Sequence, residues 1–290
     1  MSDYLVKAIG EGVRVFVART TAIVNEAISR HGLYPLPAAA LGRTMTGALL
    51  FAANLKNKEA ITISIRGNGR IGSIVADATE DGFVRGYVGN PKLELPLNAA
   101  GKLDVSGAVG EGLVTVTRFT GMKAPMSSSA EIVSGEIAED LTNYLYASEQ
   151  TASSVGLGVL VGTDLRAEVA GGFMVQLLPD ATDQTIVRVE ANLQKISQVT
   201  SYLKDHSPED LARVLLDGFN YEILTKTDLA FKCHCSKERI EDVLISMGVE
   251  DLDKLIADGK AEVVCHFCGE KYQFKKDELT HIRKIVANCK

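Results

Sequence analysis

At 290 residues, 46% apolar and 23% charged with no tryptophan, the chain has the composition of a soluble globular protein, long enough for one large domain with an appendage or for two domains. A net charge of −6 at pH 7 argues against a general nucleic-acid binder. The first residues, Met1-Ser-Asp-Tyr-Leu-Val-Lys7, lack the basic-then-apolar order of a signal peptide, so a cytoplasmic protein is expected.

Residues 21–30 and 38–54 read as helices. The stretch 36–55 is rich in Ala, Leu, Met and Phe, but Arg43, Thr44, Thr46 and Asn54 interrupt it. A membrane span tolerates no central charge of that kind, so a core helix packed through small residues is expected. Residues 61–65, Ile-Thr-Ile-Ser-Ile, alternate and are β-branched, as a half-buried strand should be. Residues 73–76, 83–88 and 113–118 read as further strands. Gly67-Asn-Gly69-Arg-Ile-Gly72 has the G-x-G-x-x-G spacing of a dinucleotide loop, but strand-like Ser73-Ile-Val-Ala follows where a helix is needed. A hairpin turn is the expectation there, and the dehydrogenase reading is set aside. Ser127, Ser128 and Ser129 lie in no nucleophile elbow, so no catalytic residue is assigned and the protein is not expected to be an enzyme.

Residues 135–146 read as a helix with Ser134 as N-cap. Residues 155–161 and 166–178 read as two strands around Gly162-Thr-Asp164. Hairpins mixed with helices, without a regular βαβ alternation, predict an α+β domain over 1–180. Beyond it, Ile186, Val189, Leu193, Ile196, Val199 and Leu203 recur at steps of three and four, which predicts one amphipathic helix. Ser207-Pro-Glu-Asp210 resembles a capping box with Pro at the first helical position, and Leu211, Val214, Leu215 and Phe219 give the next helix an apolar stripe. This helical linker region, 181–230, must bury its stripes, with the large domain as the natural surface.

The last segment, 231–290, predicts two short helices at 238–247 and 251–257, a hairpin over 261–274 turning at 265–269, and a closing helix at 277–287. It also holds all five cysteines. With no export signal, that clustering reads as metal binding or redox chemistry in a reducing compartment rather than a disulfide framework. Cys265-His-Phe-Cys268 is a C-x-x-C knuckle, with Gly269 relaxing the backbone behind it. In the C-x-C pair Cys233-His-Cys235, an extended chain puts both side chains on one face. Together they predict one tetrathiolate zinc ion held by Cys233, Cys235, Cys265 and Cys268. His234 and His266 are expected to be exposed spacers, and Cys289 an incidental thiol. A segment of this size is marginal without its metal. Each pair can also close a disulfide within itself, although Cα atoms two residues apart on a strand are separated by roughly 6.6 Å, near the upper limit for a disulfide. A zinc-ribbon nucleic-acid module is the alternative, but 11 basic and 11 acidic side chains balance from Phe231 onward, and four thiolates with one zinc add a net negative charge.

The sequence resembles the redox-regulated 33 kDa heat-shock chaperone family, the 33 kDa chaperonins. Phe231-Lys-Cys-His-Cys-Ser-Lys-Glu-Arg-Ile240 and Val264-Cys-His-Phe-Cys-Gly-Glu-Lys-Tyr-Gln-Phe274 are similar to its two cysteine motifs. Leu41-Gly-Arg-Thr-Met45, Ser148-Glu-Gln150 and Gly171-Gly-Phe-Met-Val-Gln-Leu-Leu-Pro179 are similar to blocks elsewhere in it. The resemblance implies an ATP-independent holdase that is inactive when reduced and zinc-bound. It implies disulfides Cys233 with Cys235 and Cys265 with Cys268 on oxidation, zinc release, and unfolding of the C-terminal domain and linker. It further implies an oxidised homodimer that binds unfolding client proteins, without nucleic acid or membrane as partner.

Overall fold

The computed structural model describes residues 2–57, 59–121 and 124–288. The chain gathers into two compact units, Met1–Lys232 and Cys233–Lys290. Cys289 lies outside the described residues.

The first unit opens with β1 (Tyr4–Gly10), β2 (Val13–Arg19), α1 (Thr21–His31) and α2 (Pro35–Ala52). Next come β3 (Ala60–Gly67), β4 (Ser73–Thr79), β5 (Phe83–Val88), α3 (Val105–Val109), β6 (Gly112–Phe119) and β7 (Met126–Glu131). Then come α4 (Ala138–Glu149), β8 (Ser153–Val161), β9 (Ala167–Leu177), α5 (Asp183–Leu193), α6 (Val199–Asp205), α7 (Pro208–Leu215), β10 (Tyr221–Asp228) and β11 (Ala230–Phe231). The strands form an antiparallel sheet of order β10-β1-β2-β9-β8 and a second sheet of order β11-β5-β4-β3-β6-β7, in which β11 joins β5 in parallel. This is the mixed α and β architecture expected.

Helix α2 packs against both sheets and is buried along nearly its whole length. Its small residues permit this: a Cβ on Gly42 would lie 2.9 Å from both Val24 and Val159. Most of its buried polar groups are paired, although Arg43 Nε is not. Thr44 and Thr46 donate to the carbonyls of Ala40 and Gly42 at 2.9 and 2.8 Å, and Arg43 pairs with Glu136 at 2.7 Å. Among the described residues no helix is long and apolar enough to cross a membrane. The Gly67 to Gly72 segment joins antiparallel β3 and β4, so it is the hairpin turn expected.

Two local expectations need correction. The helix expected from residue 135 begins at Ala138, and Ser134 is not its cap. Ile137 takes φ 58° ahead of it, and the Asp140 carboxylate accepts from the backbone N–H groups of Val133, Ser134, Gly135 and Ile137. One buried carboxylate therefore organises the whole turn. The single amphipathic helix expected over 186–203 is two helices, α5 and α6, with Gln198 extended before the second. The apolar stripe stays in phase across the break, and a break of that kind leaves periodicity unchanged. Val189, Val199 and Leu203, with Leu211 and Leu215 of α7, are buried against Val13, Val15, Val17, Phe173 and Val175 of the five-stranded sheet. The capping box of α7 is present: Ser207 Oγ accepts from Asp210 N at 3.2 Å and Asp210 accepts from Ser207 N at 3.1 Å.

The second unit holds α8 (Lys237–Ser246), α9 (Val249–Ala257), the antiparallel pair β12 (Lys260–Val264) and β13 (Lys271–Lys275), and α10 (Lys276–Asn288). Leu244, Leu252, Ala261, Phe274, Leu279, Ile282 and Val286 form its buried core. That is a thin core for a unit of this length.

Candidate metal centre

Cys233 and Cys235 lie in a stretch without regular secondary structure, ended by Ser236, which caps α8 by accepting from Arg239 N. Cys265 and Cys268 lie in the turn between β12 and β13. That turn is closed by Cys265 N donating to Glu270 O at 2.9 Å and Gly269 N donating to Cys265 O at 2.8 Å. Gly269 has φ 70°, the left-handed conformation a side chain would disfavour.

These elements bring all four Sγ atoms within 4.8 Å of one another. Between the motifs, Cys233 lies 3.8 Å from Cys265 and Cys235 lies 3.3 Å from Cys268. A tetrahedron with metal–sulfur bonds of about 2.3 Å has edges of about 3.8 Å, so the thiols fit one four-coordinate ion. Burial pushes the Cys235 and Cys268 thiols up from their ordinary range. Without a cation these side chains are therefore held protonated, and a bound cation reverses that preference. Cys268 is buried while Cys233, Cys235 and Cys265 are half-buried, so the cluster sits at the surface of its unit.

His234 and His266 are exposed and lie outside the cluster. One contributor had no assigned role in the sequence. The Tyr272 hydroxyl donates to Cys235 Sγ at 3.1 Å, while its ring packs against the core of the unit. The aromatic residues behind the C-x-x-C motif were its only sequence signal.

The chain is similar to known proteins over nearly its whole length. Residues 3–275 match the family described as Hsp33 protein. A 33 kDa chaperonin of Desulforamulus reducens is 43% identical over 290 residues, covering 99% of each chain. One of Bacillus subtilis is 46% identical over 286 residues, covering 97% of this chain and 98% of its own. The crystal structure of the 33 kDa chaperonin of Thermotoga maritima superposes with a TM-score of 0.93 at 35% identity, covering 99% of both chains.

Proposed function

Since the chain belongs to the Hsp33 family, whose curated relatives are named chaperonins, we propose that it is a cytoplasmic, ATP-independent holdase switched by the oxidation state of Cys233, Cys235, Cys265 and Cys268. The observation that carries the reading is the convergence of four thiols within 4.8 Å in a unit with a thin core. In the reduced state these thiolates hold one zinc ion. When bound, zinc supplies a four-way cross-link and charge neutralisation, worth roughly 10–16 kcal/mol in finger peptides.

Oxidation removes the thiolates. In each disulfide, two thiolates give up two electrons to hydrogen peroxide, which takes two protons from solvent and leaves as two molecules of water, and the zinc, its ligands gone, departs as the divalent cation. The pairs are Cys233 with Cys235 and Cys265 with Cys268. The alternative links, Cys233 to Cys265 and Cys235 to Cys268, span 32 and 33 residues. Closing loops of that length constrains the unfolded chain by roughly 3–4 kcal/mol each, which would lock the unit shut. Links within the motifs close only short loops and leave the two motifs untied. The pairing within motifs, which the family resemblance implies, is the one that leaves the unit free to open. The unit then unfolds, the helices of 181–230 are released, the apolar surface under them binds unfolding client proteins, and the oxidised chain dimerises.

Peroxide at heat-shock temperature is expected to release about one zinc per chain and to switch on suppression of client aggregation, read by metal indicator and light scattering together. Peptide mapping should find links within each motif. Retained zinc, zinc loss without a change in aggregation, or links between the motifs would refute the switch.

A further inference from the structure

A second chemical feature lies in the first unit, far in sequence from the cysteines. At one end of the five-stranded sheet, Lys7 of β1 and Arg14 of β2 line a cleft of about 410 Å³ together with Lys56, which follows α2, and Arg118 of β6. Among the lining residues, Glu149 is the one carboxylate, and it pairs with Arg118. No carboxylate pairs with Lys7, Arg14 or Lys56 among the described residues. Lys7 and Arg14 converge on one ring, their cationic groups 5.5 and 5.4 Å from the centroid of Phe16.

The cations are held in place by neutral groups. Arg14 Nη2 donates to Gln176 Oε1 at 2.9 Å, and Asn54 Nδ2 donates to the same oxygen at 3.2 Å. Lys7 reaches Asn54 Oδ1 only at 3.5 Å. Arg14 Nε is buried and has no hydrogen-bond partner. At the end of α2, the Leu49, Phe51 and Ala52 carbonyls accept from the backbone N–H groups of Ala53, Asn54 and Leu55, not from these cations. Partial burial, then the neighbouring Arg14 and Lys56, hold the Lys7 ammonium below the ordinary lysine range.

Two half-buried like charges, Lys7 and Arg14, sit in one cleft with exposed Lys56, whose backbone N–H donates to Glu59 at 3.3 Å, and among the described residues no ion pair neutralises either half-buried cation; this chain is acidic as a whole, so the cluster is no sample of a generally basic surface. An arginine fork and two lysine point charges around a concave space are the donor set that recognises a phosphoryl group. We propose that this cleft binds a small phosphoanion, with Lys7, Arg14 and Lys56 as its ligands. Phe51, Leu145 and Met174 back the cleft but are themselves buried. They present no open face, so the site reads the phosphoryl group. It owes nothing to the cysteine cluster and stands or falls separately from the redox switch.

Isothermal titration of pyrophosphate into the reduced full chain at low ionic strength tests it. Saturable one-to-one binding is expected. Loss of one charge-assisted contact should weaken it about tenfold or more, both in Lys7→Met and in Lys56→Gln. Lys92→Gln, at an exposed lysine outside the cleft, should leave it unchanged. Lys7→Met keeps the aliphatic stem and removes a charge repelled by Arg14 and Lys56, so its melting temperature should not fall. Lys56 is exposed, so its variant reports on binding even if Lys7→Met folds poorly. ADP as competitor separates the sources of the phosphoryl group: displacement of pyrophosphate identifies phosphate esters as ligands, and no displacement identifies the free inorganic anion. The absence of saturable binding, or equal affinity in the parent and all three variants, would overturn the site.

Discussion

Tyr272 joins the thiol cluster to the core of its unit through a single hydroxyl. Its hydrogen bond to Cys235 pushes the phenol up from its ordinary range, so it remains a donor. A donor facing a thiolate stabilises the charge and tempers its reactivity. Tyr272→Phe keeps the packing and deletes the bond. Zinc affinity should then drop about tenfold, the lower end of what lost partners of metal ligands cost, and Cys235 should oxidise faster. Chelator competition and thiol-modification rates check both; no change in either would remove Tyr272 from the centre. Cys233→Ser replaces a thiolate by a neutral hydroxyl and should weaken zinc retention in the same competition assay, with equal retention as the contrary result. The cysteines were legible in the sequence because C-x-C and C-x-x-C are local patterns. Tyr272 was not, because it meets Cys235 across 37 residues and only the fold brings them together.

Among elements, α7 is a short helix whose start rests on its cap. It has eight residues, and its N-terminus depends on the reciprocal Ser207 and Asp210 bonds. Ser207→Ala should cost about 1 kcal/mol of local stability. The oxidised protein should then begin to hold clients at a lower temperature, while zinc affinity in the reduced state stays the same. Aggregation assays over a temperature series, paired with chelator competition, separate these two readouts; a parallel change in both would place Ser207 in the metal unit's energetics instead. The α7 cap was readable from Ser207-Pro-Glu-Asp210 because capping is written in four consecutive residues. The break between α5 and α6 was hidden, since an in-phase stripe looks continuous. Strand β10 escaped notice for a related reason: most of its side chains are exposed, so neither face carries an apolar alternation. The N-terminus of α4 was misread because its cap is Asp140, inside the helix, rather than the serine preceding it.

On the scale of the whole chain, the linker helices are not a free tether. They leave the five-stranded sheet after β9 and return to it through β10, which pairs along β1 from Tyr221 to Asp228. Next, β11 adds two residues to the other sheet, and Lys232 N donates to Val84 O at 2.9 Å. Cys233 follows at once. Under the proposed switch, loss of the C-terminal unit can reach α7, α6 and α5 only by first detaching β11 and then the edge strand β10. The disruption therefore has a direction along the chain. Amide hydrogen exchange after oxidation should show protection lost first around Phe231 and Lys232, then through β10, and last in α5, with β9 protected throughout. Simultaneous loss across 183–232, or loss in α5 ahead of β10, would contradict this order. Under the proposed switch, this edge strand with a largely exposed outer surface would act as a latch with a fixed sequence of opening, its pairing strength setting how much oxidative damage the C-terminal unit absorbs before the rest of the chain responds.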